Sequence, residues 1–306
     1  MGTTYIVKLV FINADEKKLR IEQSLDSILA NFNQQMSTWI NDSEISIFNN
    51  GLSTDLYKAS DEFFYVLEQG KKINEETNGA FDYTIFPIAE FWGFGPGVNQ
   101  KKENLKKPDI ENILSYVGTN KIQLEYPYVK KLHPKVQLDL NAIAKGYAVD
   151  LIHDWLVSIG YSNIFVEIGG EIRCKGLNMR REPWTIGIDM PNKESLPGQK
   201  LYTTLQLNNE ALATSGNYRN YRSKDGRIIN HSLNPISGLP VETDIASVSV
   251  KSNDCLTADA WATALMVLSY QEGNKKVEQN NAIDALWIVS NEGGGFEHYS
   301  SSGFIK

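Results

Sequence analysis

Three short glycine-bearing turns constrain this chain most, because each joins two strand-like runs too closely for anything but antiparallel pairing. Residues 164–168 and 172–175 flank Gly169-Gly170, residues 221–224 and 227–229 flank Asp225-Gly226, and residues 285–290 and 295–299 meet through Gly293-Gly294. Such turns supply the positive φ that a tight hairpin needs, whereas parallel strands need a long crossover. Further strand-like runs are 1–11, 122–125, 136–140 and 245–251. Helical spacing predicts helices over 14–35, 60–79, 142–159 and 255–268; the first repeats Leu19, Ile21, Leu25, Ile28 and Leu29, and the second starts at Ser60-Asp61 and stops at Gly79. Residues 93–108, rich in Gly, Pro and Lys, read as a loop or lid. Strands cluster with helices between them and no regular βαβ alternation, which predicts an α+β fold with largely antiparallel sheets and packed helices.

That layout, and the motifs it lacks, remove several functions. No G-x-G-x-x-G follows a strand and no G-x-x-x-x-G-K-[ST] is present, which argues against a Rossmann or P-loop nucleotide site. A formal charge of -7 argues against a nucleic-acid backbone as the main partner. Cys174 and Cys255 are the only cysteines, so a disulfide framework and a thiolate zinc site are both unsupported, although one bridge between them stays open. His133, His153, His231 and His298 are scattered singly, which disfavours a histidine-rich metal centre. No stretch approaches the roughly 18 apolar residues of a membrane helix. The N-terminus alternates like a strand and lacks the three-part layout of a signal peptide, so the expectation is either a cytosolic chain or one whose leader was removed.

Four constellations could carry chemistry. Asp259 and Thr263 stand one helical turn apart, offering a carboxylate and a hydroxyl to a hard cation such as Mg²⁺. The plainer alternative is a solvated Asp with a Thr bonded back to its helix, but the apolar neighbours Ala258, Ala260, Trp261, Ala262, Ala264 and Leu265 suggest burial. In the run 139–150, Asp139 ends a strand, a helix N-terminus follows, and Lys145 lies in its first turns. Helix N-termini and lysines suit phosphate oxygens, although Asp139 could equally be a cap and Lys145 a surface residue. In 213–218, small residues and Gly216 allow backbone amides to approach a ligand, and His231 beyond it is either a general base or a structural histidine. Finally Gly79-Ala80-Phe81-Asp82, with Trp92 downstream, sets an aromatic beside a carboxylate as a flat heterocycle would require, or else places two rings in the core.

Taken in order, these segments resemble the ApbE family of flavin transferases over nearly the whole chain. The resemblance rests on Met1-Gly2-Thr3-Thr4-Tyr5, Met36-Ser37-Thr38-Trp39, Asn41-Asp42-Ser43-Glu44, Gly79-Ala80-Phe81-Asp82 and Phe91-Trp92-Gly93-Phe94-Gly95. It continues through Asp139-Leu140, Lys145-Gly146-Tyr147-Ala148, Glu167-Ile168-Gly169-Gly170-Glu171, Thr214-Ser215-Gly216-Asn217-Tyr218, His231, Asn234-Pro235 and Ala258-Asp259-Ala260 with Thr263-Ala264-Leu265. Two positions depart from the family pattern. Ala262 stands where some members carry a second Asp, and Trp39 replaces a more usual Tyr.

The resemblance implies one ApbE-type, T-fold-like domain over 1–306, with room for two subdomains and an FAD site between them. It implies FAD contacts at Met36, Ala80, Phe81, Asp82, Asp139, Lys145 and Leu233, and Mg²⁺ held by the Ala142 carbonyl, Asp259 and Thr263. It makes His231 the base that takes a proton from an acceptor Ser or Thr hydroxyl, leaving FMN joined through a phosphoester and releasing AMP. Family acceptors carry an Asp-Gly-x-Ser/Thr-Gly-Ala-Ser/Thr type segment, which this chain lacks, so the expected target is a partner flavoprotein. The family is typically exported and often lipid-anchored, which implies a periplasmic or outer-surface protein tethered through a leader outside this sequence. Two rival activities share the site: an FAD pyrophosphatase that uses water, and a flavin-binding protein without turnover.

Overall fold

A computed structural model of the chain describes residues 2–10, 17–95, 107–192, 196, 198–217, 221–224, 227–230, 232–291 and 293–304. Along the chain the elements are β1 (Tyr5–Leu9), α1 (Lys17–Met36), α2 (Glu44–Asn50), β2 (Tyr57–Lys58), α3 (Asp61–Glu76), α4 (Phe86–Trp92) and α5 (Lys107–Leu114). Then come β3 (Ile122–Glu125), β4 (Tyr128–Lys131), α6 (Ala144–Ser158), β5 (Ile164–Ile168), β6 (Glu171–Lys175), β7 (Trp184–Asp189) and β8 (Leu201–Leu207). The order ends with β9 (Ala211–Gly216), β10 (Tyr221–Lys224), β11 (Arg227–Asn230), β12 (Ile245–Ser252), α7 (Cys255–Val267), α8 (Tyr270–Glu278), β13 (Ile283–Ser290) and β14 (Phe296–Ser300). This is the mixed fold of helices and antiparallel sheets that the sequence predicts.

The chain forms two compact units, the first from Met1–Ala30, Lys145–Tyr221 and Thr243–Lys306, the second from Asn31–Ala144 and Arg222–Glu242. In the first unit, a sheet in the order β1-β5-β6-β9-β12-β13-β14 is antiparallel at each ladder between neighbours. On one side Leu212, Leu286 and Ile288 of this sheet pack with Trp184, Ile186 and Ile188 of the β7-β8 hairpin. Helix α7 packs against β9 and β12. Being apolar almost all round, α7 cannot face water, and residues 258 to 262 are all buried.

The second unit holds the small sheet β2-β4-β3 and helices α2 to α5. Ser60 caps α3 by accepting the N–H of Phe63, and Asn78 and Gly79 leave the helix with φ of 53° and 84°. Leu233 joins Ile88, Ala89 and Val117 in a core to which Trp92 and Leu114 add.

Several expected boundaries shift for identifiable reasons. The run 136–140 is extended but joins no ladder among the described strands. Its backbone is bonded otherwise: Leu138 N–H donates to Asn49 Oδ1 at 2.7 Å, Asn49 Nδ2 donates to the Leu138 carbonyl at 2.8 Å, and Asp139 N–H donates to the Tyr83 carbonyl at 2.7 Å. The expected loop over 93–108 gives way to helix α5 from Lys107, since Pro108 fits a first helical turn; residues 96–106 lie outside the described ones. Of residues 213–218, read as small residues that let backbone amides approach a ligand, 213–216 belong to the ladder strand β9, with Ser215 opposite Val248 and Gly216 opposite Ser247, and Tyr218 lies outside the described residues. Cys174 and Cys255 are free and buried, so no bridge joins them. Among the described residues no helix is long and apolar enough to cross a membrane.

Candidate active site

The charged centre of the first unit is built where α6 and α7 meet. Gly146, in the first turn of α6, lies so close to α7 that an added Cβ would come within 2.7 Å of the Cys255 carbonyl carbon and 2.8 Å of Asp259 Cβ. That approach lets the Gly146 N–H donate to Asp259 Oδ2 at 3.0 Å. The other oxygen, Oδ1, lies 3.4 Å from the Lys145 ammonium. Lys145 makes its shorter contact, 2.8 Å, to Glu171 Oε1. Burial works against the charge of Lys145, but Asp259 and Glu171 outweigh it and hold the ammonium above the ordinary lysine value. Burial pushes Glu171 up to about 7, with Lys145 pulling the other way. One turn along α7 the Thr263 hydroxyl lies 3.3 Å from that of Ser215 on β9.

With Asp259 only 2% exposed, the solvated-carboxylate alternative falls, and so does the reading of Lys145 as a simple surface residue. The position of α7 is itself fixed from α6. Asp150, one helical turn beyond Gly146, accepts the N–H groups of Cys255 and Leu256 at 2.9 and 2.8 Å, and Asp254 caps the helix through Thr257 N–H. Burial pushes Asp150 up to about 7, against the pull of Arg173, whose guanidinium donates to it at 2.8 Å. Sequence reasoning gave Glu171, Asp150 and Arg173 no role. The available signal for Glu171 was a carboxylate at an inward position of a strand, directly after the Gly169-Gly170 turn.

The second unit holds most of the positions that the resemblance assigns to FAD. Asp82 is bound on both oxygens: Oδ1 by the Thr84 N–H and hydroxyl at 2.7 and 2.6 Å, Oδ2 by Asn74 Nδ2 and Thr119 N–H at 3.3 Å each. Burial nonetheless raises its carboxyl, with those four donors opposing. Met36, Ala80, Phe81 and Leu233 are buried in the core. Asp139 Oδ1 accepts the Asn141 N–H at 2.8 Å, closing a tight turn that carries Ala142 into α6. Asp139 thus closes a turn ahead of Ala144, where α6 begins, and caps no helix, and burial raises its carboxyl too. Trp92 Nε1 donates to the Gly238 carbonyl at 2.7 Å, tying α4 to the segment that follows Leu233. His231 lies outside the described residues.

The structure thus brings Lys145, Asp259 and Thr263 together in the first unit, and orders Asp82, Asp139, Ala142 and Leu233 in the second. Comparisons with known proteins bear on the family of the chain. A family model described as the ApbE family matches residues 1–287. A Vibrio cholerae protein named FAD:protein FMN transferase is 38% identical over 99% of this chain and 89% of its own length. A Haemophilus influenzae protein of the same name is 36% identical over 100% of this chain and 89% of its own. Among solved structures, the flavin transferase ApbE from Vibrio cholerae aligns with a TM-score of 0.88 at 34% identity, covering 99% of this chain and 95% of that one. The ApbE protein of Thermotoga maritima aligns at 0.84 with 28% identity, covering 99% and 95%. The family-like segments, the fold and the buried Lys145–Asp259 centre all lie within these alignments, and the chain belongs to the ApbE family.

Proposed function

We propose that this chain is an FAD:protein FMN transferase that uses magnesium to move the FMN half of FAD onto a Ser or Thr hydroxyl of an acceptor flavoprotein. The observation that carries the reading is the buried Asp259 carboxylate, with Thr263 one turn on and Lys145 beside it, in a chain whose relatives bear that enzyme name. The donor set fits a hard divalent cation. A carboxylate and a hydroxyl are oxygen ligands, and Mg²⁺ keeps waters or phosphate oxygens in its other positions. Two carboxylates, Asp259 and Glu171, face one ammonium, so the ionised cluster carries an excess negative charge that a cation offsets. Asp259 and Thr263 would hold the ion. When bound, it supplies neutralising charge for the pyrophosphate and for the departing phosphate.

The chain's own residues do the rest. An ammonium has three donors, and with two directed at Glu171 and Asp259 the third serves a phosphate oxygen. The ordered segments around Met36, Ala80–Asp82, Asp139 and Leu233 hold the flavin. His231, next after β11 and two residues before Leu233, accepts the acceptor's hydroxyl proton, a task suited to neutral imidazole near physiological pH. The hydroxyl oxygen attacks the phosphorus on the FMN side of the pyrophosphate. The bond from that phosphorus to the bridging oxygen breaks, AMP leaves with that oxygen, and FMN stays joined to the acceptor through a phosphoester. The acceptor is a protein carrying the Asp-Gly-x-Ser/Thr-Gly-Ala-Ser/Thr type segment.

Metal dependence tests the reading. Excess chelator should abolish transfer and added Mg²⁺ restore it, while Asp259→Asn should lose cation affinity by more than about tenfold through the missing charge. Undiminished transfer in chelator, or an Asp259→Asn chain that binds the cation as wild type does, sinks the assignment.

A further inference from the structure

Glu171 opens β6 directly after a turn in which Gly169 and Gly170 take φ of 63° and 106°, and it lies opposite Ile168 in the hairpin register. The turn delivers its carboxylate to the interior, where the residue is only 4% exposed. Oε1 takes the short contact to Lys145, whereas Oε2 is buried with no hydrogen-bond partner among the described residues. A buried carboxylate is costly, and one left half-satisfied more so. Among the described residues the ammonium is the only side chain bonded to it.

The two oxygens of Asp259 are both bonded, but to different partners. Oδ2 is fixed by the Gly146 N–H, so Oδ1 is the oxygen contested between the lysine and an arriving cation. Without Glu171 the ammonium would have one strong anionic partner and would settle on Oδ1. With Glu171 beside it the lysine sits 2.8 Å from one carboxylate and 3.4 Å from the other. We propose that Glu171 is a positioning residue that draws the Lys145 ammonium away from Asp259 Oδ1 and so keeps that oxygen available to the divalent cation.

This inference rests on the reading of Asp259 as a cation ligand, and the experiment separates the two. Mn²⁺ binding to the whole chain, free of flavin, is followed by the electron paramagnetic resonance signal of unbound Mn²⁺, with a melting curve for every variant so that affinities refer to folded protein. Glu171→Gln should weaken Mn²⁺ binding by about tenfold or more, the usual effect of losing a group that orients a ligand. Glu171→Asp keeps the charge but falls one methylene short of the ammonium, and it should weaken binding nearly as much. In a Lys145→Met background there is no ammonium to position, so adding Glu171→Gln should change affinity by no more than about twofold. Wild-type affinity in Glu171→Asp, or an equal loss from Glu171→Gln in both backgrounds, would mean that Glu171 acts only as a nearby charge and overturns the proposal. A variant that melts earlier while its folded fraction binds Mn²⁺ normally overturns it as well, by making the role structural. Equal binding by wild type and Asp259→Asn defeats the Asp259 reading first, whatever Glu171 does.

Discussion

At the scale of single residues, Gly146 decides whether the charged centre can exist. Glycine inside a helix ordinarily costs about 1 kcal/mol against alanine, so α6 gives up stability at this position. What it gains is the close approach to α7 and the N–H bond to Asp259. Helix propensity alone would make Gly146→Ala stabilising. The packing predicts the opposite, because the new methyl meets the backbone of Cys255, which cannot rotate away. We expect a loss of about 1–3 kcal/mol, the usual range for overpacking, read as a lower urea midpoint and accompanied by weaker cation binding. A midpoint at or above that of wild type would show that α6 and α7 are not locked at this position. The Lys145-Gly146 pair was legible in the sequence as a family segment, but why glycine is needed there was not. The reason lies in a backbone more than a hundred positions away.

The scale of elements shows where pattern reading succeeds. Hairpins with glycine turns were readable because the turn chemistry is local: β5 and β6 meet through two glycines that both take positive φ. Helix α7 was readable because its apolar character runs right round it. The run 136–140 misled for an equally physical reason. Val136, Leu138 and Leu140 are buried with less buried residues between them, the alternation of a strand, but both backbone bonds of Leu138 go to the Asn49 side chain and not to a neighbouring strand. Alternation reports which residues face inward and says nothing of what pairs with the backbone. Asn49→Ala therefore removes two bonds at once and leaves the buried Leu138 N–H and carbonyl unsatisfied. It should cost about 2–4 kcal/mol at the usual penalty per unpaired buried group, with faster hydrogen exchange at the Leu138 amide. Unchanged protection at Leu138 would show that this segment is held by something other than Asn49. Meanwhile β4, only Tyr128–Lys131, follows a turn without glycine, and β7 and β8 are joined through the long stretch from Asp189 to Leu201, so neither carries a two-residue turn signal.

Over the whole molecule, individually weak signals became specific through their order. Asp259 with Thr263, Lys145, or Asp82 alone each had an ordinary structural alternative, and only the succession of segments pointed to one family. The structure strengthens some of these positions beyond what the sequence could give: Asp259 is buried and bonded on both oxygens, and Asp82 is held by four donors. The ion-pair partner Glu171 was not legible as a functional residue, because the contact joins positions 26 residues apart through a turn. In the proposed reaction a protein hydroxyl, activated by His231, displaces AMP from FAD. The intact mass of an acceptor protein carrying the Asp-Gly-x-Ser/Thr-Gly-Ala-Ser/Thr type segment, after incubation with this chain, FAD and Mg²⁺, tests it most directly. The acceptor should gain one FMN as a phosphoester for each AMP released, and His231→Asn should slow the gain by about 10²- to 10⁴-fold while the chain stays folded. An acceptor of unchanged mass, with free FMN and AMP accumulating together, would contradict it and make water the nucleophile.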